Sequence, residues 1–268
     1  MDLKVRATVN LISVIAMLTW NALAQSLIYE KDMRELSATY NSFFTPSPYA
    51  FSIWGLIFLA LLAYALYPLI KFNRPHAQTA IQDSGIWFWL ANLLTIVWVH
   101  VWMTEQLIAS VIIMVLLLLC LIQLMLKHRL EIWDAPIYTI ILVWWPILLY
   151  LSWISVATVA NIAAVLNHFF KFGLIEEIFF TILMLFVVTA LGIIATLKRN
   201  LREMNLVFVW AFVAIALKNW DGFTEISYAA LVLSGVLLMA SAIHGYKNRA
   251  TAPPVKWHNY LKNKSKAS

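Results

Sequence analysis

Charged side chains are scarce in this sequence. Only 12% of its 268 residues are Asp, Glu, Lys or Arg, whereas 63% are hydrophobic. A soluble domain carries about a quarter charged residues and does not show apolar runs of about 20 residues one after another. The composition therefore excludes a soluble globular protein and indicates an integral membrane protein.

Cysteine and glycine are also rare. Cys120 is the sole cysteine, which excludes an intramolecular disulfide and a metal site built from cysteines. The seven glycines form no Gly-rich phosphate loop, and the six histidines lack metal-ligand spacing. We therefore predict no metal site.

The formal net charge of +6 does not indicate a nucleic-acid partner. The only dense basic cluster is in the tail, at Lys262, Lys264 and Lys266. This cluster is too short and too peripheral to form a nucleic-acid-binding face, although it could rest on anionic lipid. We predict membrane lipid as a partner and no nucleic acid.

Apolar runs of membrane-spanning length recur along the chain. A transmembrane helix needs about 20 mostly apolar residues. The seventh run is the weakest, because it is continuous only from Leu206 to Leu217. The eight predicted spans are residues 7–27, 50–70, 86–104, 107–126, 138–165, 174–197, 205–220 and 226–246.

The distribution of Lys and Arg tests this topology. With eight spans, one side holds all but four of the 19 Lys and Arg residues. The four on the other side are Lys31, Arg34, Lys171 and Lys218. Such a bias places both termini in the cytoplasm, and it would disappear if the seventh segment did not cross.

The amino-terminal segment has two interpretations. Lys4 and Arg6, the apolar stretch after them and A-L-A at 22–24 are typical of a cleaved signal peptide. Asn10 and Asn21 weaken that interpretation, and cleavage would leave seven spans. We predict that the segment is retained as a membrane helix.

Polar residues interrupt the fifth apolar run at Y-L-S-W-I-S-V-A-T-V-A-N, residues 150–161. At about 100° per residue, one helix face carries the hydroxyls. Small hydroxyl residues let helices approach closely and can bond across to a neighbour or back to the i−4 carbonyl. We predict helix packing for this face, which carries Ser152, Ser155 and Thr158.

The opposite face of the same stretch is aromatic. Tyr150, Trp153 and Ala157 fall together, with Asn161 nearby. A tyrosine, a tryptophan and a gap beside them could form a slot for a flat apolar ligand. The alternative is an ordinary aromatic core.

Spans two and three carry similar features. Asn92 in span three is costly in hydrocarbon without a partner, so it faces a neighbouring helix or a cavity. His100 either bonds a carbonyl or binds a metal or cofactor. Span two opens at T-P-S-P-Y-A-F-S-I-W, residues 45–54, where prolines start the helix and Trp54 lies a turn below the interface.

These motifs resemble the TspO/MBR family, the tryptophan-rich sensory or translocator proteins. Y-L-x-W-x-S-x-A-T-x-x-N at 150–161 resembles the family's fifth-helix signature. Residues 45–54 resemble its T-P-P-x-W-x-F-x-x-x-W entry to helix two, with one residue fewer between proline and tryptophan. A-N-L-L-T resembles its L-N-x-x-W, with Thr95 in place of the tryptophan. The resemblance covers about residues 1 to 167.

The resemblance implies an all-α integral membrane protein with a TspO-like five-helix bundle. About three additional transmembrane helices would follow, for eight in total. The predicted units are a TspO/MBR-like membrane domain at 1–167, a three-helix extension at 168–249 and a basic cytoplasmic tail at 250–268. The implied location is the bacterial plasma membrane.

The resemblance also implies a ligand. The family is associated with tetrapyrroles such as haem and protoporphyrin IX, and in animals with cholesterol and synthetic drug ligands. We expect a hydrophobic small-molecule ligand, no required cofactor (a bound porphyrin or haem being compatible), and leave a homodimer open. The predicted ligand-binding residues are Trp54, Asn92, Trp153, Ala157, Tyr150 and, as a lid residue, Tyr40.

Two other functions stay open at this stage. A secondary transporter could couple to ions through Glu176 and Glu177, but the sequence shows no Gly-interrupted pair of helices. A porphyrin-degrading enzyme would need an acid–base pair or a nucleophile facing the aromatic wall, and we find none. The sequence thus favours a binding protein, sensor or transporter for a flat apolar ligand.

Overall fold

The computed structural model describes residues 2–249, 255–257 and 262, and the described chain is helical without a β-strand. The first half contains the following elements in order: α1 (Leu3–Leu23), a wider π turn (Ala24–Ile28), α2 (Met33–Thr39), a 3₁₀ turn (Pro48–Ser52), α3 (Ile53–Ile70), α4 (Pro75–Ser84), α5 (Trp87–Met103) and α6 (Leu107–Lys127). The second half contains α7 (Ile137–Thr139), a π turn (Ile140–Trp144), α8 (Trp145–Phe170), α9 (Leu174–Arg199), α10 (Met204–Asn219) and α11 (Thr224–Lys247).

The lengths and compositions of these helices confirm an all-α membrane protein. Six helical segments of the described chain are long and apolar enough to cross a membrane, and the number is seven if the bent pair α4–α5 forms one span. The apolar helix α10 has 16 residues, or about 24 Å at 1.5 Å per residue, against a hydrocarbon thickness of about 30 Å. The eighth span therefore stays a prediction.

The expectation of no Gly-interrupted helix pair was wrong at Gly85. Helices α4 and α5 meet there at an angle of 51°. Gly85 has a φ of +51°, a conformation that favours glycine because it has no Cβ. Helix α4 begins with Pro75 at its first position and buries one side through Ala77, Ala80 and Ile81. Because the composition of α4 is polar, the apolar runs of the sequence did not predict this helix.

The main hydrophobic core runs from Val14 in α1 to Leu237 in α11. A second, smaller cluster joins α2 to α5 and α8 through Leu36, Trp102 and Ala164. Helix α8 is the most buried of the long helices and packs against α3, α6, α9 and α10. The helices on either side of residues 167/168 therefore share the main core, and the division into two units there stays a prediction. The predicted basic tail lies outside the described residues apart from 255–257 and Lys262.

Candidate functional site

A small cavity of about 60 Å³ lies between α2, α5 and α8. Its lining is mostly aromatic and small apolar side chains, and none of its lining residues is charged. Such a concave, apolar site suits a small apolar molecule. Its principal lining residues are Tyr40, Phe51, Trp98, Trp102, Trp153, Ala157, Ala160 and Ala164.

Helix α8 supplies the cavity wall that the sequence predicted. Trp153 and Ala157 both line the cavity, and the Trp153 ring meets the Phe51 ring edge-on at 6.2 Å between centroids. Trp153 is only 3% exposed. Ala157, one turn further on, leaves space beside it.

The hydroxyl groups on the packing face of α8 donate to backbone carbonyls of the same helix. Ser152 donates to the Leu148 carbonyl at 2.5 Å and Ser155 to the Leu151 carbonyl at 2.8 Å. Thr158 makes the same i−4 bond. This bonding satisfies the hydroxyls within the helix and is one of the two patterns predicted for them.

Helix α5 supplies the facing wall. The rings of Trp98 and Trp102 stack with centroids 6.0 Å apart and 13° between their planes. The Trp98 indole N–H donates to Asn161 Oδ1 of α8 at 3.3 Å, and Asn161 Nδ2 donates to the Ser110 hydroxyl at 3.1 Å. These bonds fix the two aromatic walls relative to each other.

A second, larger chamber of about 310 Å³ adjoins the cavity. Phe51 and Trp98 line both spaces, so the two chambers share a wall. Trp54, a predicted ligand residue, lines the second chamber. The structure therefore places Trp54 next to Trp153 and Ala157 but across this shared wall.

Two predicted ligand residues lie outside the lining of both chambers. Asn92 is fully buried and donates through Nδ2 to the Ser13 hydroxyl of α1 at 3.0 Å. Tyr150 is also fully buried, and its hydroxyl bonds to Thr95. The Tyr150 ring packs edge-on against the Trp54 ring, with centroids 6.1 Å apart.

His100 bonds a side-chain hydroxyl rather than a backbone carbonyl. Its Nδ1 lies 2.7 Å from the Tyr29 hydroxyl. Among the described residues, no group of three or more His, Cys, Asp and Glu side chains is arranged to hold a metal ion.

Residues 28–40, which we call the lid half, close one side of the cavity. Asp32 begins α2 with a capping box, because its carboxylate accepts the backbone N–H of Glu35 while the Glu35 carboxylate accepts that of Asp32. At the other end of α2, the Tyr40 hydroxyl donates to Glu105 Oε2 at 2.5 Å. Lys31 pairs with Glu105 Oε1 at 3.2 Å. This Tyr40–Glu105–Lys31 cluster, the latch, lies at the surface.

The latch changes the acidity of its members. The Tyr40 hydroxyl and then the Lys31 ammonium hold the pKa of Glu105 below its usual range. The Glu105 carboxylate in turn raises the pKa of Tyr40. The latch therefore favours an ionised carboxylate and a neutral phenol.

Residues 41–52, the wall half, are fixed by the C-terminal helices. Glu177 of α9 accepts the Phe43 backbone N–H at 2.9 Å, and Asn219 of α10 donates to the Phe43 carbonyl at 3.0 Å. The Ser47 N–H donates to the Ala214 carbonyl at 3.1 Å. Helices α9 and α10 thus hold the segment that carries Phe51.

Glu177 and Glu176, the candidates for ion coupling, have different local roles. Glu177 also accepts from Asn167 at 3.2 Å. Glu176 accepts the Gly173 backbone N–H at 2.8 Å, at the start of α9. Both carboxylates thus bond groups of the protein at the mouth of α9.

Trp98 and Trp102 were not predicted as site residues, although the signal was present. Thr95, Trp98 and Trp102 follow i, i+3, i+7 spacing, which places them on one face of α5. Phe51 was also not predicted as a site residue, although it stands at the phenylalanine of the motif at residues 45–54. The folding of the wall half brings it to the cavity.

Comparison with known proteins identifies the family. A model of the TSPO-like protein family matches residues 7–243. The match runs past residue 167 and includes the three C-terminal helices. Searches of curated proteins and of solved structures found no match. Because the family match covers most of the sequence, this membrane protein belongs to the TSPO-like protein family.

Proposed function

We propose that this protein binds a flat apolar ligand, a tetrapyrrole such as protoporphyrin IX or haem, in the cavity between α2, α5 and α8. The observation that carries the proposal is the lining of that cavity by the tryptophan rings of α5 and α8. Flat aromatic ligands stack favourably on such rings. Membership of the TSPO-like family agrees with a membrane binding protein or sensor of this type.

The size of the site requires both chambers. Small-molecule sites occupy about 300–1,000 Å³, whereas the cavity has a volume of about 60 Å³ and the adjoining chamber one of about 310 Å³. A tetrapyrrole would therefore extend from the cavity into the adjoining chamber. In this proposal Trp153 stacks on the ligand, Ala157 provides the space beside that ring, and Tyr40 covers it.

The experiment is a titration of protoporphyrin IX against the purified protein in detergent, with melting temperatures measured in parallel. Ala157→Leu should fill the space beside Trp153 and abolish binding while the protein stays folded. Trp153→Ala should remove stacking area worth about 1–3 kcal/mol, or roughly ten- to a hundredfold in affinity.

Ser155→Ala is the matched control on the same helix. It removes a hydroxyl that bonds the Leu151 carbonyl, so it should alter stability more than affinity. The site is misplaced if Ser155→Ala weakens binding while Ala157→Leu and Trp153→Ala leave it unchanged. The choice of a tetrapyrrole fails if the parent protein binds no porphyrin.

A further inference from the structure

The second chamber differs from the first in its polar groups. The first cavity is lined by no charged residue, whereas the second is lined by Arg34 together with the amide side chains of Asn21 and Gln25. Arg34 is the one charged lining residue of this chamber among the described residues. A ligand that spans both chambers would therefore meet apolar rings at one end and a cation at the other.

The carboxylates near Arg34 are already engaged. Asp32 Oδ1 accepts the backbone N–H groups of Arg34 and Glu35 at 2.7 and 2.9 Å. The Glu35 carboxylate accepts the Asp32 N–H at 3.0 Å. Among the described carboxylates, Asp32 alone forms an ion pair with the Arg34 guanidinium, with Oδ2 at 3.5 Å from Nη2. An arginine has five N–H donors in a planar fork, so this single contact leaves capacity for a second carboxylate.

The position of Arg34 suits a ligand that enters from the cavity. Phe51 and Trp98 line both chambers, and Arg34 lines the second one together with these rings. The Arg34 side chain is 64% exposed, so it binds an anion without being buried itself. A pair between a guanidinium and a carboxylate in this setting contributes modestly to affinity and more to orientation.

We propose that the second chamber is an anion subsite in which Arg34 binds a carboxylate on the edge of the flat ligand. This inference rests on the proposed function, because it needs the apolar body of the ligand to occupy the aromatic cavity. It restricts the ligand class to flat apolar molecules that carry an acidic group.

The test compares protoporphyrin IX with its dimethyl ester, which keeps the ring but lacks the two negative charges. In the parent protein at low ionic strength, the free acid should bind roughly two- to fivefold more tightly than the ester. Arg34→Gln should reduce this preference to about one. Lys171→Gln, which removes an exposed cation that lines neither chamber, should leave it unchanged. Added salt should shrink the preference in the parent.

The outcomes separate this inference from the proposed function. If both porphyrins bind the parent equally well, the aromatic site stands and the anion subsite is refuted. If the preference survives Arg34→Gln, the carboxylate binds elsewhere and the assignment to Arg34 is wrong. If neither porphyrin binds, the proposed function fails, and the subsite fails with it. Melting temperatures should be equal for the three proteins, because both substituted side chains are exposed.

Discussion

The lid half and the wall half of the 28–52 segment are attached to the bundle in different ways. The lid half is held by the exposed hydrogen bond and ion pair of the latch and by the side chains of Met33 and Leu36, which are buried against α5 and α8. The wall half is held by partly buried bonds from Glu177, Ala214 and Asn219 on the C-terminal helices. Exposed pairs contribute little to stability, whereas buried donors left unpaired are costly.

This difference shows how one segment can close a cavity on one side and support it on the other. In the proposed function, admission of a ligand requires the lid half to open, which breaks the latch and exposes Met33 and Leu36. The bonds of the wall half keep Phe51 against Trp153 independently of the latch. The comparison also gives the C-terminal helices a role, since they fix a wall of a cavity that the first five spans build.

The largest effect should come from the wall half. Glu177→Ala removes the acceptor of the Phe43 N–H, and an unpaired donor there costs about 1–3 kcal/mol. We expect a lower melting temperature and porphyrin affinity reduced by about tenfold. Glu177→Gln keeps an acceptor oxygen and should stay close to the parent. Equal affinities for the parent and Glu177→Ala would show that the C-terminal helices do not support the cavity.

A smaller effect is expected from the lid half. Tyr40→Phe removes the hydroxyl that bonds Glu105 but keeps the ring that packs against Trp102 at 6.1 Å. The lid should open more often, so porphyrin should dissociate a few times faster with an unchanged melting temperature. Stopped-flow dissociation measures the rate. A slower or unchanged rate would mean that the latch does not hold the lid.

The smallest effect should be the pH dependence of the latch. Because the pKa of Glu105 is lowered in the folded protein, the latch is fully present above the carboxyl's ordinary value of 4.5. It is lost as the pH falls through the lowered pKa. Porphyrin dissociation should therefore accelerate in this acidic range. Glu105→Gln should remove that acceleration, and an identical pH profile in this variant would contradict the assignment.

The sequence predicted the membrane helices well where apolar runs were long. The spans at 107–126 and 174–197 match Leu107–Lys127 and Leu174–Arg199 closely. Helix α4 was missed because it is a polar helix with a narrow buried face. The bend at Gly85 was missed because a single glycine carries no signal of a helix break unless a second helix is recognised before it.

The candidate site was predicted only in part, for a related reason. Helical periodicity placed Trp153 and Ala157 on one face, and the structure puts both in the cavity lining. Periodicity cannot say what packs against a face, so Tyr150 was grouped with them although it is buried against α5 and Trp54. The contacts of the wall half join residues more than 100 positions apart, for example Phe43 and Glu177. No local pattern predicts such pairs.

Hydrogen exchange of the two halves, with and without protoporphyrin IX, tests most directly the claim that a mobile lid and a fixed wall enclose the ligand site. The amides of residues 33–40 should exchange quickly in the free protein and slow down when porphyrin binds. The amides of Phe43, Thr45 and Ser47, which are bonded to Glu177, Ser42 and Ala214, should exchange slowly in both states. Equal exchange in the two halves, or no response of residues 33–40 to the ligand, would contradict it.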